Sequence, residues 1–229
     1  MSRKKMAVVV GATGNLGQAV VSVLENAGYS IDPTWNSEDR PNATKAESYA
    51  KLPDTIDLLV YLPGLNVVKA SAELSEEEWD DVMNVNLKGA FLASKAAFPA
   101  LKKSGQATIV VISSIMTTHP YPKRLAYTSS KAALEGFTRA LAVEWGKYGI
   151  SSHCIRLGHL SGLMKSTPAN PDLLKAVKQR TPSGHLVEAR EVADYILWLA
   201  EGGSKAMNGT VVDFDPAYTL NRWPLDTDV

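Results

Sequence analysis

Short runs of consecutive apolar residues alternate along this chain with longer segments whose apolar positions recur every three or four residues. Such runs indicate strands buried on both faces of a sheet, and the three-or-four spacing indicates amphipathic helices. Strands that alternate with helices imply right-handed crossovers and a parallel sheet covered on both faces. The pattern predicts strands at Ala7–Val10, Tyr29–Trp35, Ile56–Leu62, Ala107–Ser113, Ser151–Leu157 and Thr210–Asp213.

Helices are predicted between these strands. A capping-box signal, Ser75 followed three residues later by Glu78, predicts the start of a long helix that continues to about Leu101. Gly28 is expected to end the first helix. The predicted helices cover residues 15–27, 45–52, 75–101, 127–147, 172–180 and 189–201. The fold class is therefore α/β, with a doubly wound parallel sheet.

Composition narrows the choice of function. The chain has 229 residues, 24 basic and 24 acidic, and this absence of net charge argues against nucleic-acid binding by counterion release. The single cysteine, Cys154, excludes an intrachain disulfide and a cysteine zinc site, and the four histidines lack metal-motif spacing. No apolar run reaches the ~18 residues that span a bilayer, and no signal peptide is recognisable. We expect a cytoplasmic protein with no metal, nucleic-acid or membrane partner.

A glycine-rich segment connects the first strand to the first helix. It reads Gly11-Ala-Thr-Gly14-Asn-Leu-Gly17. Residues without a Cβ let backbone approach a pyrophosphate, and the helix then presents unpaired N–H groups and the positive end of its dipole. A tight turn without a ligand is the alternative, but the strand before and the helix after favour a nucleotide site.

A tyrosine and a lysine lie four residues apart at the start of a predicted helix, as Tyr127-Thr-Ser-Ser-Lys131. This spacing places both side chains on one helix face. A neighbouring ammonium would lower the pKa of the phenol towards the range of an acid/base catalyst. Ser114 follows the strand before this helix, where its hydroxyl can bond a substrate oxygen. The Tyr-Lys spacing alone is common by chance. A Tyr-Lys pair that follows a glycine loop and a strand ending in Ser113-Ser114 is much less common by chance.

These motifs together resemble the short-chain dehydrogenase/reductase family across nearly the whole chain. The resemblance is carried by Gly11–Gly17, Asn84–Gly89, Ile112–Ser114, Tyr127–Lys131, and Leu157-Gly158 with Leu160. It implies a single Rossmann-like domain over residues 1–229 that transfers hydride between a nicotinamide and a carbonyl/alcohol pair. In that family pattern, Tyr127 is the acid/base. Lys131 assists it and holds the nicotinamide ribose, Ser114 orients the substrate, and Asn86 holds a water of a proton relay. Asn86 is alternatively a residue that bonds backbone at a helix bend.

The resemblance also implies a set of cofactor contacts. They come from the glycine loop, from the end of the second strand, from the segment after the third strand and from the ends of the next two strands. The residues are Gly11, Thr13, Gly14, Asn15, Leu16, Trp35, Asn36, Ser37, Asn42, Leu62, Pro63, Gly64, Ile112, Tyr127, Lys131, Gly158 and Leu160. For the substrate, Ser114, Met116, Tyr121 and Tyr127 are expected to line the pocket.

The sequence departs from the common family pattern on the cofactor side. The middle glycine of the loop is Gly14 where position 15 is usual, and Tyr61–Gly64 stands where the family has Asn-Asn-Ala-Gly. Pro63 also removes a backbone donor. The segment between Trp35 and Ile56 is short, as though one helix were missing.

The end of the second strand, near Trp35-Asn36-Ser37, carries no acid to bond a ribose 2′-OH. NADP is therefore preferred to NAD, with Asn36 and Ser37 as ligands for a 2′-phosphate and Asn42 near the adenine. Trp35 either stacks near the adenine or lies in the core.

The leading hypothesis is an NAD(P)-dependent carbonyl reductase or alcohol dehydrogenase that acts on a small molecule. The alternative is a non-catalytic NADP-binding regulator or scaffold, suggested by the glycine spacing and by Tyr61–Gly64. The complete set Asn86, Ser114, Tyr127 and Lys131 favours the enzyme. The family usually assembles through the helices that hold Asn86 and Tyr127, which predicts a homodimer or homotetramer.

Overall fold

The computed structural model describes residues 3–35, 41–161, 171–203 and 205–221, and within them the strands form one parallel sheet. The strands are β1 (Met6–Val10), β2 (Ser30–Ile31), β3 (Leu58–Tyr61), β4 (Ala107–Ser114), β5 (Ile150–Leu157) and β6 (Val211–Phe214). Their order across the sheet is β2-β1-β3-β4-β5-β6. The chain turns outwards from β1 to β2 and then returns to the other side of β1. A crevice at the carboxyl ends of β1 and β3 is the usual ligand site of such a sheet.

Helices cover both faces of the sheet. They are α1 (Asn15–Asn26), α2 (Glu76–Met83), α3 (Gly89–Ser104), α4 (Leu125–Trp145), α5 (Pro171–Arg180) and α6 (Ala189–Ala200). In β1, Ala7 and Val9 belong to the core cluster shared with α1 and α6, whereas Val8 and Val10 belong to the cluster shared with α3 and α4. All four are fully buried. The predicted α/β fold with helices on both faces is confirmed.

The long helix predicted from Ser75 is present but changes its winding. The capping box forms as expected: Ser75 Oγ accepts a hydrogen bond from the Glu78 amide at 3.2 Å, and the Ser75 amide donates to Glu78 Oε2 at 2.9 Å. After α2 the chain forms a π-helical segment, Asn84–Lys88, and then continues directly as α3. No residue periodicity in the sequence indicated this interruption.

The region between β2 and β3, which we call the β2 region (residues 29–56), differs from the sequence prediction. The strand expected over Tyr29–Trp35 is only Ser30–Ile31, because Pro33 cannot donate to a ladder and the chain turns into a 3₁₀ helix at Pro33–Trp35. The helix expected at 45–52 is a single 3₁₀ turn, Ala46–Tyr49. Neither segment forms the full strand and helix of a βα unit. This agrees with the short segment between Trp35 and Ile56 in the sequence.

We also searched the described ranges for a membrane-spanning helix and for a metal site. None of their helices is long and apolar enough to cross a membrane, and they contain no group of three or more His, Cys, Asp or Glu side chains placed to hold a metal ion.

Candidate functional site

The glycine loop forms a cradle at the start of α1. Gly11 has a φ of +88°, which favours glycine, and its carbonyl accepts the Gly14 amide at 3.1 Å. A Cβ on Gly17 would collide with the Gly11 carbonyl oxygen and the Ala12 backbone. Glycine is therefore favoured at Gly11 by the backbone conformation and at Gly17 by the close approach of other backbone atoms.

The amino end of α1 is open beside this loop. Gly14 is its N-cap and supplies no side-chain acceptor, and the first intrahelical bond is from Gln18 to the Gly14 carbonyl. Gly14 and Asn15 are exposed, with Thr13 and Leu16 half-buried beside them. The amides of the first helical turn thus face the crevice without intrahelical acceptors, as an anion site needs.

The segment Leu62–Gly64 joins the glycine loop to Lys131. The Leu62 amide donates to the Val10 carbonyl at 3.0 Å. A Cβ on Gly11 would lie 3.3 Å from Pro63 Cδ, and a Cβ on Gly64 would lie 3.5 Å from Lys131 Nζ. Pro63 therefore fits against the loop without needing its missing amide, and Gly64 packs directly against the buried lysine head with no side chain between them.

Asn86 lies within the π-helical segment and is fully buried. Its Oδ1 accepts the Leu65 amide at 2.7 Å, and its Nδ2 donates to the Leu65 carbonyl at 3.0 Å and to Ser130 Oγ at 2.8 Å. The side chain thereby ties the β3–α2 loop to α4. The interpretation of Asn86 as a residue that bonds backbone at a helix bend is confirmed, and π segments are frequent at functional sites.

Tyr61 also helps to build the site, although it was not among the predicted site residues. It occupies the first position of the Tyr61–Gly64 departure, is buried, and donates its hydroxyl to the Val85 carbonyl at 2.5 Å. A Cβ on Gly89 would collide with that hydroxyl. Two features of the sequence indicated this contact: Tyr61 stands where the family has a short polar residue, and Gly89 leaves room for its hydroxyl at the start of α3.

Lys131 is buried between β4 and the Leu62–Gly64 segment. Its Nζ donates to the Ile112 carbonyl at 2.7 Å, and burial lowers the pKa of Lys131 to about 8. The predicted site residue Ile112 thus contributes its backbone oxygen, since its side chain lies in the core.

Tyr127 stands one helical turn before Lys131, with the ammonium 5.7 Å from the centre of the phenol ring. Burial raises the pKa of Tyr127, while a hydrogen bond with Ser114 and the charge of Arg124 act to lower it; burial prevails. The lowering expected from Lys131 is not among these influences. Ser114 also accepts the amide of Met116 at 3.2 Å, which holds its hydroxyl at the end of β4.

A buried ion pair anchors α4 beneath these groups. Arg156 on β5 donates to Glu135 through Nε at 3.0 Å and through Nη2 at 2.8 Å, and Ser113 and Thr117 donate to the same carboxylate at 3.1 and 2.9 Å. Burial alone would raise the pKa of Glu135, but these donors more than offset it and leave the pKa lowered. The sequence signal was a glutamate four residues after Lys131, on the same buried stripe.

The expected substrate side contains a closed aromatic cluster. Tyr121 Oη lies 2.9 Å from His159 Nε2 and 2.7 Å from Tyr218 Oη. Burial raises the pKa of Tyr121 and lowers that of His159, so both remain neutral. Met116 is half-buried at the same end of β4. The structure therefore brings Ser114, Met116 and Tyr121 to one edge of the sheet.

Two predicted cofactor residues that follow β5 act through backbone. Gly158 donates to the Phe214 carbonyl at 3.0 Å, and a Cβ there would lie 2.9 Å from Asp215 Oδ1. Leu160 is buried in the core and pairs with Val187 as an isolated bridge. Its side chain therefore packs in the core, which leaves only the Leu160 backbone to face a ligand.

The described residues give no support to the predicted adenosine contacts. Trp35 is 1% exposed and stacks on Tyr49 with ring centres 5.0 Å apart, so it is a core residue and cannot stack on adenine. Asn42 does not lie on a strand. It closes a local turn by accepting the Thr44 amide and hydroxyl at 2.9 and 2.8 Å. Asn36 and Ser37 lie outside the described residues.

The chain offers a consistent place for a dinucleotide. The cradle at Gly11 and Gly17, the open amides of α1 and the buried Lys131 head beside Gly64 follow one another along the carboxyl edge of β1 and β3. These features fit an extended, anionic cofactor that ends near Tyr127.

Known proteins resemble this chain over most of its length. The family model described as enoyl-(acyl carrier protein) reductase matches residues 11–219. An uncharacterized oxidoreductase of Thermotoga maritima is 38% identical, over 72% of this chain and 67% of its own. A tropinone reductase homolog of Arabidopsis thaliana is 29% identical, over 95% and 93%. A gluconate 5-dehydrogenase of Burkholderia cenocepacia, solved with NADP and tartrate, shares the fold, with a TM-score of 0.85 at 20% identity over 94% of this chain and 95% of that chain.

Proposed function

Because the chain belongs to the short-chain dehydrogenase/reductase family of oxidoreductases, we propose that it transfers hydride between NAD(P)(H) and the carbonyl or secondary alcohol of a small molecule. In this proposal the whole chain, 1–229, acts as one nucleotide-binding domain. The observation that carries it is the convergence of Ser114, Tyr127 and Lys131 at the carboxyl edge of β4, with Asn86 bonded to the helix that holds two of them.

Each residue of this group has a role that its contacts support. In the reductive direction the Tyr127 phenol gives its proton to the substrate carbonyl oxygen, beside which the Ser114 hydroxyl donates a second hydrogen bond. The raised pKa of Tyr127 keeps that proton on the phenol until the oxygen develops charge. Lys131, with its pKa lowered to about 8, is suited to resupply the proton, and Asn86 sets the helix geometry of a water relay behind it.

The cofactor would be held by backbone more than by charge. The open amides of α1 would bind the pyrophosphate, and Lys131 would bond the nicotinamide ribose. The bound dinucleotide supplies or accepts the hydride. NADP remains our preference, since the sequence places no acid at Trp35-Asn36-Ser37.

The direct test is Tyr127→Phe, assayed with NADPH and NADH against a panel of aldehydes and ketones. Loss of the acid should lower kcat by about 10²–10⁴-fold, while the Kd of the nucleotide, measured by calorimetry, changes little. Tyr148→Phe is the matched control: it removes a phenol hydroxyl away from this edge and keeps the ring that packs against Phe98. Unchanged turnover in Tyr127→Phe would overturn the mechanism. Nucleotide binding with no turnover by the wild-type protein would favour the regulator.

We also propose a homodimer or homotetramer, in the cytoplasm. Exposed apolar side chains on α3 and α4, Phe91, Leu125 and Val143, are suited to a contact between copies of the chain. A reduced compartment fits a cysteine, Cys154, that is free and buried. Light scattering after size exclusion would measure the assembly, and a monomer would contradict it.

A further inference from the structure

A small cavity lies between the β4–α4 connection and the first turns of α4. It has a volume of about 240 Å³, below the ~300–1,000 Å³ of pockets that hold a whole drug-sized ligand. Its polar lining comes from Ser71, Tyr121, Lys123, Arg124, Thr128 and Ser129. A cavity of this size suits one polar group of a larger molecule.

Two buried donors of this cavity have no acceptor. Arg124 Nε and Thr128 Oγ1 are both inaccessible to solvent and have no hydrogen-bond partner among the described residues. Arg124 Nη1 donates to the Lys123 carbonyl at 3.2 Å. Buried donors without partners are rare in folded proteins, and a ligand that accepts hydrogen bonds here would satisfy both when the half-buried Arg124 and Thr128 side chains turn towards it.

The cavity is also cationic. Lys123 and Arg124 form no ion pair within the described ranges, and no carboxylate side chain lines the cavity. Lys123 has a φ of +64°, and its carbonyl accepts the Lys69 amide at 3.1 Å. Left-handed backbone at a residue other than glycine costs energy and often occurs at functional sites. The ligand that satisfies these groups should be an anion.

The cavity adjoins the helical turn that holds the reacting phenol. Arg124 precedes Tyr127 by one turn at the start of α4, and its charge acts on the pKa of Tyr127. Tyr121, which also lines the cavity, is held by His159 and Tyr218. An anionic group bound at Arg124 would therefore lie about one helical turn from the phenol, within reach of a short molecule.

We propose that this cavity binds a carboxylate of the substrate, so that the enzyme acts on oxo acids and hydroxy acids in preference to neutral carbonyl compounds. The inference rests on the proposed function and names its substrate class. The Nε edge of an arginine binds a planar carboxylate through parallel hydrogen bonds, and the Thr128 hydroxyl can donate to the same group. Arg124 and Thr128 are thus assigned as specificity-determining residues.

The kinetic test compares oxo acids with their own methyl esters. Acetoacetate, 4-oxopentanoate and 5-oxohexanoate are assayed against the esters, which keep the ketone and lose the charge. Arg124→Gln should lower kcat/KM for the preferred acid by about 10- to 100-fold, mainly through KM, and should change kcat/KM for its ester much less, since the ester feels only the effect of the lost charge on Tyr127. Thr128→Val should show a smaller loss of the same kind. Arg139→Gln, an exposed arginine on α4, is the matched control. Equal loss on acid and ester, or no preference for any acid in the wild type, would overturn the proposal.

A binding measurement keeps this inference separate from the proposed reaction. Succinate is titrated into the protein with NADP⁺ at constant ionic strength, by calorimetry. Binding that is lost in Arg124→Gln supports the site even if no carbonyl compound is turned over. Absence of succinate binding, or equal binding by both proteins, contradicts it, and inorganic phosphate that binds more tightly than succinate would reject the carboxylate assignment.

Discussion

Two regions border the same crevice and are built differently. In the α4 region, formed by β4, α4 and β5, buried side chains bind one another across elements: Asn86 joins a loop to α4, and Glu135 joins α4 to β5. In the β2 region, the strand has two residues, and Asn42 closes only its own turn. Long-range hydrogen bonds hold the residues of the proposed chemistry. The described part of the β2 region instead relies on local turns, on the core packing of Trp35 against Tyr49 and on a long-range bond from the Tyr29 hydroxyl to Glu201 at 2.8 Å.

The largest effect should come from Glu135→Gln. It removes one of the two carboxylates that pair with Arg156, whose side chain is 14% exposed; the other, Asp213, is itself exposed. The loss of hydrogen bonds between charged groups at Glu135 costs about 1.5–3 kcal/mol. Urea unfolding should show this loss in the free energy of unfolding, together with a lower kcat because α4 is no longer fixed. Asp194→Asn, in an exposed pair with Arg190, should cost less than about 0.5 kcal/mol. A loss for Glu135→Gln no larger than for Asp194→Asn would remove the contrast between the regions.

The same carboxylate predicts a dependence on pH. The pKa of Glu135 is lowered in the folded protein, so its stabilisation is present above its ordinary pKa near 4.5 and is lost as the pH falls through the folded value. The difference in unfolding free energy between wild type and Glu135→Gln should therefore shrink as the pH falls below about 4.5. A difference that is constant from pH 7 to pH 3 would contradict this account.

Gly17→Ala tests the junction between the two regions. Its Cβ would meet the Gly11 carbonyl and the Ala12 backbone, and such overpacking costs about 2 kcal/mol. Because α1 must move, we also expect nucleotide affinity to fall by at least about 10-fold. Gly136→Ala is the control: it lies inside α4 with open space around it and should stabilise by roughly 0.5–1 kcal/mol. Unchanged affinity in Gly17→Ala would show that the loop does not form the cradle.

A smaller effect is expected when the hydroxyl of Tyr61 or of Tyr49 is removed, and the two variants should differ in kcat. Tyr61 donates to the Val85 carbonyl in the α2–α3 helix, and Tyr49 donates to the Ala43 carbonyl in the β2 region at 2.9 Å. Each phenylalanine variant leaves a carbonyl unpaired and should cost about 1–2 kcal/mol of unfolding free energy. Only Tyr61→Phe should also lower kcat, because Val85 precedes Asn86. Equal activity of the two variants would argue that the Val85 contact does not position Asn86.

The smallest change is expected at Asn42→Ala. It removes an acceptor of an exposed turn, so the free energy of unfolding should fall by less than about 1 kcal/mol and kcat should not change. An increase in the KM for NADP of about 10-fold or more would instead return Asn42 to the adenosine site.

Much of this architecture could be predicted because it depends on local sequence. Buried strands, the Ser75 capping box and the glycine loop are read from neighbouring residues, and the structure confirms the strands and the cap. The predicted end of β2 was wrong: the strand stops before Pro33, and the point at which a strand stops depends also on the partner strand, which local sequence does not show. The Tyr61–Val85 bond and the Glu135–Arg156 pair join residues 24 and 21 positions apart, respectively. No pattern within one segment encodes such partners.

The π segment at Asn84–Lys88 keeps two helices in phase. A π turn is equivalent to an α-helix that contains one residue too many, and each residue of an α-helix turns the chain by about 100°. Because the wider turn takes up the extra residue, the alanines of α3 that face the sheet, Ala90, Ala93 and Ala97, keep the phase relative to α2 that an uninterrupted helix one residue shorter would give them. Ordinary winding with the same number of residues would rotate them by about 100°. We expect a further inserted residue in this stretch to be far less tolerated than substitutions on its exposed face.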